Sequence, residues 1–140
     1  IVGLKDATGD LSRLEELLKL LEAKEIGDFY LYSGDDPTAT SFILKGGKGT
    51  ISVTANIVPG IISEICKLSL DGDSQGALDL DSKLEELNEM LFVESNPIPI
   101  KWLLNRIGRI SDGIRLPLSP FNHKYHNDAE EILKKLNLLN

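Results

Sequence analysis

Three short apolar runs in the first half of the chain are separated by longer segments in which apolar and charged residues mix. The runs cover residues 1–5, 29–32 and 50–54, and the last of them is rich in β-branched side chains. Runs of this length and composition are typical of buried strands. We therefore predict three strands in the first half of the chain.

The segments between these runs predict helices. Leucines recur every three or four positions from Leu11 to Leu21, directly after Asp10, which is suited to cap a helix N-terminus. Proline favours the first turn of a helix, and Pro37 and Pro59 each precede a further apolar segment. The resulting β-α-β-α-β-α order predicts a parallel sheet covered by helices.

The strand pattern ends near residue 72, and the remaining sequence predicts helices only. Apolar side chains step by three and four over residues 77–91, and another helix is expected over residues 96–108. A proline-bearing connector then leads to a last helix, for which Asn127 and Glu130 have the spacing of a capping box. We therefore expect an α/β part at residues 1–72 and an all-α part at residues 73–140.

The α/β part is too small to close its own sheet. Three parallel strands leave both sheet edges unpaired, whereas a closed parallel barrel takes eight. The chain begins at Ile1 and its only methionine is Met90, so we expect a piece of a longer protein whose missing strands precede Ile1.

Composition narrows the possible partners. The 140 residues carry 15 basic and 22 acidic side chains, a net charge of −7. That balance argues against nucleic acid and against an anionic membrane, since both require clustered cations. No apolar run approaches the ~20 residues that cross a bilayer. The lone Cys66 cannot form an internal disulfide, which is consistent with the reducing cytoplasm.

Lys5 is the first candidate for chemistry because it ends a predicted buried strand. Parallel α/β folds place ligands and catalytic groups at the carboxyl ends of their strands. Apolar neighbours such as Val2 and Leu4 would desolvate the ammonium group and lower its pKa, leaving a free amine that attacks carbonyl carbon. The alternative is a structural lysine paired with Asp6 or Asp35.

The second predicted strand ends in Ser-Gly-Asp-Asp, at residues 33–36. Gly34 would allow a ligand to approach the backbone closely, and the carboxylates would orient the lysine. Asp36 directly precedes a proline, so we favour a helix N-cap for it over a catalytic role. Residues 54–56 are small and polar, which suits the wall of a pocket.

Four other features favour structural interpretations. The glycine-rich segment at 46–49 lacks the spacing of a phosphate-binding loop and leads into a strand. His123 and His126 have no clear third metal ligand nearby, so we interpret them as polar loop residues. Trp102 is expected in the core, and Cys66 is expected to be a buried apolar residue.

Five segments together resemble a known family. The first, residues 1–9, resembles the Schiff-base lysine signature of the pyruvate-dependent class I aldolase superfamily. The others follow in order, at residues 33–36, 46–56, 94–101 and 115–118. This combination resembles the dihydrodipicolinate synthase family, and the resemblance covers the C-terminal half of its members.

The resemblance implies an α/β fold, the C-terminal part of a (β/α)8 barrel with strands 6–8, followed by a helical domain. It implies a lyase of lysine (diaminopimelate) biosynthesis that needs no cofactor and no metal and assembles as a homotetramer. Lys5 would form an imine with pyruvate, whose enamine adds to aspartate-β-semialdehyde. The Ile51 carbonyl would face the bound pyruvate, and Gly34 would line the same pocket.

Several groups that the family uses are absent from these residues. They are the Gly-Thr-Thr-Gly-Glu loop for the pyruvate carboxylate, the tyrosine that shuttles protons, a tyrosine of the neighbouring subunit and an arginine at the pocket mouth. We expect them in an N-terminal half of the same barrel. Two alternatives remain open: a sister lyase such as N-acetylneuraminate lyase or a keto-deoxy-sugar-acid aldolase, and an inactive structural half-barrel.

Overall fold

A computed structural model describes residues 1–139 and places a small parallel sheet beside a larger set of helices. Strands β1 (Gly3–Asp6) and β2 (Tyr30–Ser33) pair in parallel, with Leu4 opposite Leu31. The seven helices are α1 (Leu11–Ala23), α2 (Ala39–Leu44), α3 (Pro59–Asp71), α4 (Ser74–Asp81), α5 (Glu85–Met90), α6 (Ile98–Arg106) and α7 (His126–Lys135).

Helix α1 connects the two strands and follows the predicted pattern. The Asp10 side chain caps it by accepting a hydrogen bond from the Ser12 backbone N–H at 2.9 Å. Its leucine stripe faces the sheet, where Leu14 is fully buried with Leu31 and Phe42. The first helix, its cap and the parallel strand pair are therefore confirmed.

The predicted third strand over residues 50–54 is wrong in its extent. In the described residues, pairing with β2 ends at Ile51: Thr50 forms an isolated parallel bridge to Ser33, and the Ile51 N–H donates to the Ser33 carbonyl. The chain then turns, and Thr54–Asn56 forms a short 3-10 helix. The turn is favoured because the Asp36 carboxylate accepts the backbone N–H groups of Val53 and Thr54, which a continuing strand would have offered to a neighbour.

The second half is helical, as predicted, but two details differ. The stripe over residues 77–91 is divided between α4 and α5 by a 3-10 turn, Ser82–Leu84. The last helix begins one residue before Asn127, and Asn122 caps the 3-10 turn that precedes it by accepting from the Lys124 N–H at 3.1 Å. The capping-box prediction is therefore wrong, because the helical segment starts earlier than expected.

Most of the core belongs to the helices. One buried cluster runs from Ile57 through Leu84 and Leu103 to Leu133 and joins α3 to α7. Cys66 lies on α3 and is only partly buried, and this burial raises the pKa of its thiol. Among the described residues, no helix has the length and apolar character needed to span a membrane.

Candidate functional site

The carboxyl ends of β1 and β2 bring Lys5 and Gly34 into contact. Lys5 lies opposite Tyr32 in the strand register, and the Gly34 N–H donates to the Asp6 carbonyl at 2.7 Å. A Cβ on Gly34 would overlap Cε of Lys5 and would lie 2.9 Å from Cβ of Ala7. A side chain at position 34 would therefore displace Lys5, because the lysine side chain passes directly over the Gly34 backbone.

Ile51 is held at the same end of β2. Its backbone N–H donates to the Ser33 carbonyl at 2.8 Å, and the Thr50 hydroxyl contacts that carbonyl at 3.3 Å. The Ile51 residue is 52% exposed, so the segment borders open space. The structure thus assembles all three residues singled out from the sequence, Lys5, Gly34 and Ile51, around the end of β2.

Lys5 is less enclosed than the sequence predicted. The lysine is exposed, and its neighbour Val2 is 71% exposed. The apolar neighbours expected to enclose the ammonium group therefore do not enclose it in the described residues. The cause is geometric, because β1 is an edge strand with β2 on one side only among the described residues.

Asp6 does not pair with Lys5. Its carboxylate accepts from the Arg13 Nε at 2.7 Å and from both the backbone N–H and the hydroxyl of Thr8, at 2.9 and 2.7 Å. Burial acts to raise the pKa of Asp6, but these hydrogen bonds and the Arg13 charge outweigh it, so the pKa is lowered. Asp6 therefore holds the loop after Lys5 against the start of α1.

The two carboxylates after Gly34 have separate roles, and neither pairs with Lys5 in the described part of the chain. Asp35 accepts from the Thr38 hydroxyl at 2.6 Å. Asp36 begins the 3-10 turn Asp36–Thr38 and does not cap it; the predicted N-cap role is wrong. Its buried carboxylate instead reaches Val53 and Thr54, partners too distant in sequence for a local pattern to reveal.

A second feature, remote from Lys5 in sequence, is a cavity of about 490 Å³ beside α6, lined by Trp102, His123 and His126 among others. His126 stacks on Trp102 with ring centroids 4.4 Å apart, and its Nε2 contacts the Phe121 carbonyl at 3.2 Å. His126 is thus part of an aromatic cluster and not a polar loop residue as predicted. The described residues contain no group of three side chains able to hold a metal ion.

Comparisons with known proteins agree with this arrangement. The model of the dihydrodipicolinate synthetase family matches residues 1–136. The 4-hydroxy-tetrahydrodipicolinate synthase of Legionella pneumophila is 45% identical over 139 residues, which are 99% of this chain and 47% of that protein. The corresponding protein of Idiomarina loihiensis is 49% identical over 140 residues, all of this chain and 46% of its own length.

Solved structures show the same relationship. Dihydrodipicolinate synthase from Acinetobacter baumannii, complexed with pyruvate, superposes with a TM-score of 0.93 at 45% identity, over 99% of this chain and 46% of that one. The enzyme from Thermotoga maritima gives a TM-score of 0.92 at 35% identity, over 99% and 47%. The chain therefore spans about half the length of the relatives it matches. Together the family match, the identities and the superpositions establish that this chain belongs to the dihydrodipicolinate synthetase family.

Proposed function

We propose that this chain supplies the imine-forming lysine of a 4-hydroxy-tetrahydrodipicolinate synthase. Lys5 forms the imine with pyruvate, Gly34 lines the pocket beside it, and the Ile51 carbonyl faces the bound substrate. One observation carries the proposal: the Lys5 side chain crosses Gly34 at the carboxyl end of the strand pair, next to the segment that holds Ile51. That is where parallel α/β folds assemble their active sites.

The chemistry needs only an amine and proton transfers. The unprotonated Nζ of Lys5 attacks C2 of pyruvate, and a proton passes from the nitrogen to the former carbonyl oxygen to give a carbinolamine. A second proton, supplied by an acid of the N-terminal half, lets that oxygen leave as water and gives an iminium ion. Loss of a proton from C3 converts the iminium to an enamine. The enamine carbon then bonds to the aldehyde carbon of aspartate-β-semialdehyde, whose oxygen takes up a proton.

The same proposal extends to the complete protein. In this proposal, strands 6–8 of a (β/α)8 barrel correspond to β1, β2 and the segment at Thr50. Residues 1–72 belong to the barrel, and residues 73–140 form the helical domain that follows it. An N-terminal half supplies the remaining strands and the groups that bind the pyruvate carboxylate and move protons. The complete enzyme works in the cytoplasm as a homotetramer.

A complementation assay tests this function. The 140-residue chain is mixed with the separately expressed first half of the Legionella pneumophila relative, and condensation of pyruvate with aspartate-β-semialdehyde is followed in a coupled assay. We expect activity only in the mixture. It should disappear with Lys5→Arg, because a guanidinium group stays protonated, and persist with Lys48→Arg.

The assay also separates the alternatives. Cleavage of N-acetylneuraminate by the mixture, without condensation, would favour the sister lyase. Condensation that survives Lys5→Arg would contradict the assignment of the imine. An inert mixture that nevertheless forms a stable complex would favour a purely structural module.

A further inference from the structure

A single buried carboxylate ties the turn after Ile51 to the end of β2. Asp36 is 6% exposed, and its Oδ2 accepts the backbone N–H of Val53 at 2.9 Å and that of Thr54 at 3.1 Å. Both donors are neutral backbone groups; Thr54 is buried and Val53 is partly buried. Without the carboxylate they would lose their partner, which is costly for buried N–H groups.

The Ile51 carbonyl lies between two anchored backbone groups, one held by the last residue of β2 and the other by the 3-10 turn that follows β2. On one side, the Ile51 N–H donates to the Ser33 carbonyl at 2.8 Å. On the other, Asp36 holds the backbone from Val53 onward. Ser52 is the one residue between the two anchored N–H groups, those of Ile51 and Val53. The direction of the Ile51 carbonyl therefore depends on both hydrogen bonds.

The end of the turn that is farther from β2 is also held in place, by a hydrogen bond to α5. The Thr54 hydroxyl donates to Oδ1 of Asn88 at 2.6 Å, and both residues are buried. The turn therefore cannot be moved by shifting Thr54 alone, because that would also break a buried contact with α5. Asp36 is the member of this arrangement that determines where the turn sits relative to β2.

We propose that Asp36 is a positioning residue for imine formation at Lys5, acting through the turn that orients the Ile51 carbonyl. This inference rests on the proposed function. Positive charge develops on the lysine nitrogen as water leaves, and a carbonyl dipole held in place beforehand stabilises that charge more than a mobile one. Asp36 thus contributes to the rate without touching the substrate.

The test measures two quantities separately: the rate of imine formation at Lys5, and the stability of the turn at Val53 and Thr54. The rate at which borohydride traps a pyruvate adduct on Lys5 is determined by peptide mass mapping of the 140-residue chain mixed with the complementing first half. Amide hydrogen exchange at Val53 and Thr54 is measured on the same samples. The variants are Asp36→Ala, which removes the acceptor, and Asp36→Asn, which keeps a carbonyl oxygen; Asp35→Ala is the matched control.

We expect Asp36→Ala to slow trapping by about tenfold or more and to speed exchange at Val53 and Thr54. Asp36→Asn and Asp35→Ala should stay within about threefold of the unmodified chain, since both keep an acceptor for the turn. If Asp36→Ala fails to fold, Asp36→Glu serves in its place. It keeps the charge but displaces the oxygen, and it should slow trapping while the chain remains folded.

Three results would contradict these proposals: two would overturn the inference about Asp36, and the third would overturn the proposed function. Rapid exchange at Val53 and Thr54 with an unchanged trapping rate would make Asp36 purely structural and would overturn the inference. Slowing by Asp35→Ala equal to that by Asp36→Ala would overturn it too, because it would indicate a general effect of negative charge. No adduct on Lys5 in the unmodified chain, when the complementing first half is present, would instead overturn the proposed function.

Discussion

The Lys5 side chain occupies the space where a Cβ at position 34 would stand. We predict that Gly34→Ala destabilises the chain by no more than about 1 kcal/mol, because the exposed end of the lysine can move and only the contact with Cβ of Ala7 is tight. It should also abolish borohydride trapping on Lys5, since the lysine must move aside. Urea unfolding and mass mapping measure the two effects.

Gly60→Ala is the control for that substitution. A Cβ at Gly60 meets nothing within 4 Å, and the residue lies in the first turn of α3, where alanine is favoured. This variant should be as stable as the unmodified chain or slightly more so. Equal behaviour of the two variants would contradict the close contact between Lys5 and Gly34.

Asp6 should make stability depend on pH. Its pKa in the folded chain is lowered below the ordinary 3.8, so its charge contributes stability that is fully present above that value and is lost as pH falls through the folded pKa. Asp6→Asn should cost on the order of 1 kcal/mol at pH 7, because Arg13 is half-exposed and partly screened.

Urea unfolding at a series of pH values checks this prediction. The difference between Asp6→Asn and the unmodified chain should shrink below pH 3.8, where the native carboxyl also becomes neutral. Asp28→Asn removes a charge from an exposed residue and serves as the control. A difference that stays constant with pH would contradict the role assigned to the Asp6 charge.

Individual site residues differed in how far sequence could predict them. Lys5 and Gly34 could be predicted because strand ends and glycines leave local patterns in the sequence. Asp36 was not, because its partners are 17 and 18 positions away and a residue before proline is equally suited to capping. The exposure of Lys5 was also missed, since burial depends on strands that lie beside β1.

At the scale of elements, local signals predicted the helices better than the sheet. Helix α1 followed from its leucine spacing and from Asp10, both of which act within one turn. The strand predicted over residues 50–54 depended on long-range pairing, and only its first two residues, Thr50 and Ile51, pair with β2. Its β-branched composition was compatible with a strand, but the hydrogen bonds of Asp36 favoured a turn.

The hydrogen bond between Thr54 and Asn88 joins the turn after Ile51 to α5, and its contribution to the free energy of unfolding can be measured. Thr54→Val keeps the shape of the side chain but leaves the buried Asn88 amide oxygen without its donor. We expect a loss of about 1–3 kcal/mol in the free energy of unfolding. The double variant Thr54→Val, Asn88→Leu should cost less than the sum of the two single variants, because the first substitution already breaks the pair. Strictly additive effects would contradict the contact.

At the scale of the 140-residue chain, the described residues leave a sheet edge open beside Lys5. β1 pairs with β2 on one side only among the described residues, and Ile1 and Val2 next to it are exposed. An uncovered apolar edge favours pairing between copies. We therefore expect the isolated chain to self-associate, with an average mass in light scattering that rises with concentration.

Charge at the edge should oppose this association. Val2→Lys is expected to weaken it by about tenfold, because lysine on an edge strand disfavours strand pairing. Leu70→Lys changes another exposed apolar residue, on α3, and should have little effect. A monodisperse monomer at all concentrations, or equal effects of the two variants, would contradict the open edge.

The central claim is that Lys5 carries the substrate imine. The direct measurement is borohydride reduction of the chain with pyruvate, in the presence of the complementing first half, followed by peptide mass mapping. We predict one reduced pyruvate adduct, on Lys5, that is absent from Lys5→Arg. An adduct on Lys45, Lys48 or Lys101 in place of Lys5 would contradict the account.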